Sequence, residues 1–396
     1  MNFILFDDNS RNNLLPLTFT RPVADIRIGI LTIREKWEKV LNVKTSSQTQ
    51  DYLSKKYPLE FAIDADNIWI NGSICPNQKL IEEIKNLQAN HILVSSNTVL
   101  AANTGNNKNF DYNSINDFTK FESHAKAMRI ENPWDIFSKN GEAISKDFEL
   151  ITKGRTSHAI SHTNQVIGIE NIFVEEGAKI ECAILNASTG PIYIGKDSEI
   201  MEGAIIRGPF ALCEHSTLKL GTKIYGPTTI GPHSKVGGEV NNSVIFGYSN
   251  KAHDGFLGNA VIGEWCNLGA DTNNSNLKNN YAEVKLWNYE QECLINTGLT
   301  FCGLIMGDHS KCGINTMFNT GTVVGVNANI FGAGFPPNFI PSFSWGGAAG
   351  FTAYKISAAF EVATRVFERR GLVFNETEQE ILTEIYRLTE KYRTKN

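Results

Sequence analysis

From Ile194 the chain places an aliphatic residue at every sixth position: Ile194, Ile200, Ile206, Leu212, Leu218, Ile224, Ile230 and Val236. Aliphatic residues make up about a quarter of ordinary sequence, so this unbroken run is not a product of chance. Val174 and Ile180 share the spacing upstream; Ile262 and Leu268 resume it, and Met306, Cys312, Phe318, Val324 and Ile330 form a further run. Neither the helical period of 3.6 nor the strand period of 2 gives a strict six. A triangular coil with three short strands per turn does, because each aliphatic side chain then points inward at the same place on a face and stacked coils bury a continuous column. Glycine often follows the aliphatic residue, as in Ile194-Gly195, Ile230-Gly231 and Leu268-Gly269, and lets the chain turn between faces without steric cost. The pattern predicts a parallel β-helix over residues 166–340. It breaks from Glu239 to Phe256 and from Asn273 to Leu304. Insertions in a solenoid emerge as loops, often on the binding face, so these two breaks are where chemistry is expected.

Before the repeats the pattern is not periodic. Phe3–Phe6, Phe61–Ile63, Ile68–Ile70 and Ile92–Val94 read as short strands, and Ile30–Leu41 and Leu80–Leu87 as helices. Such alternation predicts an α/β domain over residues 1–140. The stretch 103–110 reads as a polar loop, and a linker over 141–165 follows Asn132-Pro133-Trp134-Asp135. Beyond the repeats, residues 341–396 begin with a loop at Pro341–Gly347. Two helices follow, the first over Ala353–Arg369 and the second capped by Asn375, with apolar stripes Ile356, Phe360, Ala363, Phe367 and Ile381, Ile385, Leu388, Tyr392. They are expected to cover the open end of the coil or to pack between subunits.

Composition narrows the function classes. A length of 396 residues suits two domains. A net charge of −5, with both signs interspersed, argues against a nucleic-acid platform. No apolar run is long enough to span a bilayer, and the start lacks the basic segment of a signal peptide, so a cytoplasmic location is expected. Seven cysteines with no CxxC pair point to buried small apolar groups rather than a metal site or disulfide framework.

An α/β domain followed by a hexapeptide coil resembles the bifunctional enzymes that join an N-acetylglucosamine-1-phosphate uridyltransferase to a glucosamine-1-phosphate acetyltransferase. The segments 14–27 (LLPLTFTRPVADIR) and 341–346 (PSFSWG) are similar to short bacterial sugar-nucleotidyltransferase-like members of that lineage. The resemblance covers nearly the whole chain. It implies a left hand for the β-helix, a trimer, and sugar phosphate or amino sugar and nucleoside triphosphate as substrates, with acetyl-CoA as co-substrate and Mg²⁺ at the nucleotidyl site.

The resemblance also assigns residues. Lys251-Ala252-His253-Asp254-Gly255 takes the place of the family's Lys-Ala-Gly-His segment, which puts His253 on the catalytic histidine and Lys251 among the substrate ligands. Asn267 and Asn276 fall on sugar-binding asparagines, Ala270 on an acetyl-CoA contact and Glu239 on a glutamate ahead of the histidine. An imidazole, with an ordinary pKa near 6.5, is suited to taking a proton from an attacking amine at neutral pH. The plainer reading of His253 is a surface histidine hydrogen-bonded to backbone. Departures are clear: a phosphate-binding lysine falls on Asn241, two tyrosines fall on Phe256 and Leu277, and acetyl-CoA contacts fall on Ile314 and Gly332. Arg207, Lys223 and Lys235 offer other cations, or simply a solvated face.

At the N-terminus the family's glycine-rich loop is replaced by Asp7-Asp8-Asn9-Ser10-Arg11, while Leu15-Pro16-Leu17-Thr18 is kept. Arg11 takes the place of the family arginine and Arg21 lies near that of the lysine, which leaves two cations for phosphates; the alternative is that Arg11, Arg21 and Arg27 pair with Asp7, Asp8 and Asp25. Asp64 and Asp66 are carboxylates of a type that binds Mg²⁺, though neither maps onto a family ligand. Three readings stay open: a sugar-nucleotide pathway transferase with an acyltransferase-type β-helix, nucleotidyl transfer alone with the β-helix as a trimerisation scaffold, and a non-enzymatic sugar-nucleotide-binding protein.

Overall fold

A computed structural model describes residues 1–106 and 110–393, so 107–109 of the expected polar loop lie outside the described residues. The chain divides into two compact units: Met1–Leu14, Thr20–Ile26 and Leu31–Asn132 form the first, and Leu15–Phe19, Arg27–Ile30 and Pro133–Asn396 the second.

The first unit is built on a six-stranded mixed sheet in the order Ser46–Gln48, Asn2–Phe6, Asn67–Asn71, Thr98–Asn103, His91–Ser95, Thr119–Glu122. Asn2–Phe6 pairs in parallel with both neighbours and reads as a near-continuous apolar run because both faces are covered. Phe6, Trp69 and Phe110 pack on one face. The helix Ile33–Leu41 starts at a capping box, with Thr32 Oγ1 accepting from the Glu35 amide at 3.1 Å and Glu35 accepting from the Thr32 amide at 2.7 Å. Two expectations fail here. Phe61–Ile63 forms no strand, because the Asn67 side chain takes both backbone groups of Ala62 at 2.9 and 3.0 Å and leaves Ile63 73% exposed. The edge place belongs instead to Ser46–Gln48, a polar segment with no hydrophobic signature.

The second unit is a parallel β-solenoid of about ten turns, with faces of six, nine and ten strands. The six-step is its cross-section: Ile194 pairs with Leu212 and then Ile230, Ile200 with Leu218 and then Val236, and Ile206 with Ile224. These residues form one buried column. The two breaks differ in kind. At the first, Ile230 pairs with Ile245 and Val236 with Lys251; the coil is three residues short and no loop emerges. At the second, Ile262 pairs with Met306, and the intervening chain leaves the coil to form the antiparallel hairpin Lys285–Asn288/Cys293–Asn296.

The stretch Arg27–Ile30 is built into this unit. The Gly29 amide donates to Asn140 Oδ1 and the Ile30 amide to Asp147 Oδ2, both at 2.8 Å, while Thr229 Oγ1 donates to the Gly29 carbonyl at 3.0 Å. Asn140 and Asp147 belong to the helix Asn140–Thr152, which occupies the stretch read as a linker.

The turn between the nine-stranded and ten-stranded faces carries a ladder of residues with positive φ, among them His215, His233, Tyr248, Trp265 and His309. Their rings stack at 4.8, 4.7 and 4.2 Å from His215 to Trp265. Phe367 of the helix Ile356–Glu368 stacks on Trp265 at 4.1 Å, so this helix lies along the side of the coil rather than over its end. Pro341–Gly347 is not all loop: Ser344–Gly347 pairs with Gly350–Ala353 as an antiparallel hairpin. In the helix Glu376–Leu388, Asn375 caps the Glu378 amide at 3.0 Å, Leu382 is buried where Leu388 was expected, and Tyr392 falls in a separate short helix, Glu390–Arg393. Of the seven cysteines, five are buried as expected, but Cys182 and Cys293 are exposed.

Candidate functional site

His253 stands at the turn from the ten-stranded to the six-stranded face, between the strands Asn250–Lys251 and Phe256–Gly258. Its side chain is exposed, and among the described residues its imidazole makes no hydrogen bond. The residue that sets this turn is Lys251. It occupies the inward column, where its neighbour one coil back is Val236, and is 2% exposed. A buried ammonium must find acceptors, and Lys251 Nζ donates to the carbonyls of Gly237 at 3.0 Å and His253 at 2.8 Å. Burial pulls its pKa down to about 8. Lys251 is thus an internal clamp on the His253 backbone.

The coils approach closely at this turn. A Cβ on Gly237 would lie 2.6 Å from the Ala252 carbonyl oxygen, and one on Gly269 would lie 2.4 Å from the Gly313 carbonyl carbon. Ala270, directly after Gly269, is partly exposed and its carbonyl accepts from the Asn315 amide at 2.8 Å. Ile314, one coil further, is 71% exposed. Gly269 and Ala270, with the exposed Ile314 one coil further, form a shelf along the turn.

The two asparagines fall on opposite sides of the turn. Asn267 projects from the ten-stranded face, between Asn250 and Lys311. Asn276 lies by the six-stranded face and donates to Asn259 Oδ1 at 2.7 Å. There Asn273 and Asn274 finish the sheet edge, accepting from the amides of Phe256 at 2.7 Å and Gly258 at 2.8 Å. Glu239 accepts from the Tyr225 hydroxyl at 2.5 Å. Among the described residues no hydrogen bond joins His253, Asn267 and Asn276.

In the first unit the loop after the first strand is closed by its own charges. Asp7 is buried and accepts from the Val23 amide at 2.8 Å and Thr49 Oγ1 at 2.6 Å, with Arg11 Nε at 3.4 Å. Burial raises its carboxyl to about 6, against the opposing pull of Arg11. Arg11 also donates to the Tyr52 hydroxyl at 2.9 Å, and Arg21 is buried. Asp8 accepts from Asn71 Nδ2 and Arg129 Nη2, both at 2.8 Å. Asp25 pairs with Arg34 at 2.7 Å. Sequence reading held the Arg11–Asp7 pair only as an alternative to phosphate binding; it did not find Arg129, which lies 121 residues from Asp8, or Arg34, nine residues from Asp25. Asp64 is exposed and Asp66 accepts from Asn103 at 3.2 Å. Among the described residues no group of three His, Cys, Asp or Glu could hold a metal ion, and the carboxylates of Asp7 and Asp8 are already filled by donors.

Residues 3–156 match the family described as sugar nucleotidyl transferase. The chain is 30% identical over 388 residues to a bifunctional sugar-1-phosphate nucleotidylyltransferase/acetyltransferase of Sulfurisphaera tokodaii, covering 84% of this chain and 96% of that protein. It is 27% identical over 201 residues to the bifunctional protein GlmU of Methanococcus maripaludis, 51% of this chain and 42% of that relative. It is 26% identical over 149 residues to an uncharacterized acetyltransferase, YaiX, of Escherichia coli, 37% of this chain and 64% of that protein. Among the described residues no helix is long and apolar enough to cross a membrane.

Proposed function

The chain belongs to the family of bifunctional sugar-1-phosphate nucleotidylyltransferase/acetyltransferases, and on that premise we propose that its solenoid transfers an acyl group from acetyl-CoA to an amino sugar phosphate, with His253 as general base. It is a transferase of the sugar-nucleotide class. The observation that carries the acyl-transfer reading is the exposed His253 side chain on a backbone clamped by Lys251, one coil from the shelf at Ala270.

Acetyl-CoA, when bound, supplies an activated thioester. His253 takes the proton released as the sugar amine attacks the thioester carbon, and returns it to the sulfur as the C–S bond breaks. The Ala270 amide is the proposed donor to the carbonyl oxygen as it gains charge, since the amides of Asp271, Thr272 and Asn273 already donate to the carbonyls of Asp254, Gly269 and Thr316. Lys251 does not reach substrate; it positions His253. Asn267 and Asn276 hold the sugar from either side of the turn, which requires a neighbouring chain to close the site, as in a homotrimer. Glu239 acts through Tyr225. Release of free thiol from acetyl-CoA in the presence of glucosamine 1-phosphate tests the reading. Wild type turns over and His253→Ala falls by about 10²-fold or more; equal rates in the two would end the assignment.

In the first unit, Arg11 and Arg21 are the proposed phosphate ligands for nucleotidyl transfer. Arg11 must then exchange Asp7 and Tyr52 for phosphate oxygens. Pyrophosphate release from a nucleoside triphosphate and a sugar 1-phosphate is expected to drop in Arg11→Ala, and an unchanged rate would remove Arg11 from the site.

A further inference from the structure

On the ten-stranded face Lys235, Asn250, Asn267 and Lys311 stand in one column across successive coils. Arg369 and Arg370, just past the helix Ile356–Glu368, come over the same column and close a cleft of about 530 Å³. The helix is anchored there by Phe367, which stacks on Trp265 and packs against Phe374 at 5.5 Å. The two arginines are therefore carried on a fixed element rather than a free tail.

The charges in this cleft are treated differently from others in the same region. Arg365 pairs with Glu361 and Arg387 with Glu384, each at 2.5 Å, and Lys391 pairs with Glu292. Lys235, Arg369 and Arg370 form no ion pair among the described residues. Lys311 donates only to the His309 carbonyl, at 2.9 Å, and burial pulls its pKa down to about 8. Like charges gathered without an ion-pair partner raise one another's free energy, and an anion placed among them relieves all of them together, although Glu214 and Glu264 also bear on the cleft through Tyr248. Guanidinium and ammonium groups with two neutral amides form a donor set suited to phosphate oxygens. Tyr248, Trp265 and Val366 add an apolar wall, and the volume lies in the range of small-molecule sites.

We propose that this cleft binds the phosphate groups of a phosphorylated small molecule. Two sources carry that chemistry, the phosphates of coenzyme A and the phosphate of the sugar acceptor; the choice between them rests on the acyl-transfer reading above, while the cleft itself does not.

Titration calorimetry on the full chain tests this with three probes: inorganic pyrophosphate, coenzyme A and glucosamine 1-phosphate. Wild type is expected to bind pyrophosphate, and the double variant Arg369→Ala/Arg370→Ala to lose at least about tenfold in affinity. Lys235→Met gives a second, independent loss at an exposed position that leaves the helix untouched. Arg365→Ala, which removes a paired cation from the same helix, is expected to bind as wild type. Whichever of coenzyme A and glucosamine 1-phosphate loses affinity in the double variant names the source. Absence of binding by all three probes, or affinities within about twofold of wild type in both variants, overturns the proposal. The two readings fail separately. Intact binding with turnover unaffected by His253→Ala removes only the acyl-transfer assignment; loss of turnover in His253→Ala with unaltered binding in the arginine variant removes only the cleft.

Discussion

Replacing Lys251 by Met asks whether a charge inside the coil is what this protein keeps there. The folded ammonium lies at about 8, against 10.5 for a free lysine, because burial disfavours the charged form. Below pH 8 folded and unfolded chains both hold the proton, and Lys251 adds no pH dependence. From pH 8 to 10.5 the unfolded chain holds the proton and the folded chain has lost it, so stability rises with pH. At 1.36 kcal/mol per pKa unit, that rise is on the order of 3 kcal/mol. Lys311, also at about 8, contributes in the same window and sense, so Lys251→Met is expected to keep only about half of the combined rise. Below pH 8 the variant sheds a buried charge but strands the carbonyls of Gly237 and His253, at about 1–3 kcal/mol each. Urea unfolding followed by far-UV circular dichroism across this pH range gives both numbers, and tyrosine titration cancels in the difference. The acyl-transfer kcat is expected to fall as well, because His253 loses its clamp. A variant whose stability climbs with pH as steeply as wild type would show that Lys251 is solvated, and the positioning role would go with it.

Asp7→Asn probes the first unit with the opposite sign. Burial raises the Asp7 carboxyl from 3.8 to about 6, so the folded chain binds the extra proton between these values and stability falls as pH rises, by on the order of 3 kcal/mol; urea unfolding of the variant is expected to lack that fall. Phe367→Ala removes a 5% exposed ring stacked on Trp265 and is expected to cost about 3–5 kcal/mol, read from the denaturation midpoint. The same variant is expected to weaken pyrophosphate binding, since the helix that carries Arg369 and Arg370 loses its anchor.

The solenoid was legible because its cross-section repeats in sequence: Ile200, Leu218 and Val236 are neighbours in space by the same rule that spaces them along the chain. Lys251 was legible in part. Ile245, Lys251 and Leu257 keep the six-step after the short coil, which places a lysine in an aliphatic column. Reading the break as an inserted loop hid this, because periodicity reports a change of phase and not its cause. The edge strand Ser46–Gln48 escaped because β-pairing at a sheet edge needs backbone groups and not apolar side chains. Phe61–Ile63 misled for the converse reason: the pattern was there, but a side chain sixty-seven residues into the chain, Asn67, satisfied the backbone first. The cleft left no trace in any window, since Lys235, Lys311 and Arg369 are brought together only by coil stacking and a ring contact.

The disposition of charge separates the two halves more sharply than their folds do. In the first unit the cation that resemblance assigns to phosphate is already engaged: Arg11 lies against Asp7 and Tyr52. A phosphate arriving there must displace a buried carboxylate, and breaking such a pair leaves Asp7 uncompensated, a cost on the order of 3–5 kcal/mol. In the second unit no such exchange is needed, because Lys235, Arg369 and Arg370 carry no carboxylate partners among the described residues. An arriving anion relieves the repulsion among the three. If donor types alone set affinity, the two places would be comparable. Counting what each cation must give up, the proposed solenoid cleft takes a phosphate at lower cost than the proposed Arg11 site, where binding requires release of Arg11 from Asp7.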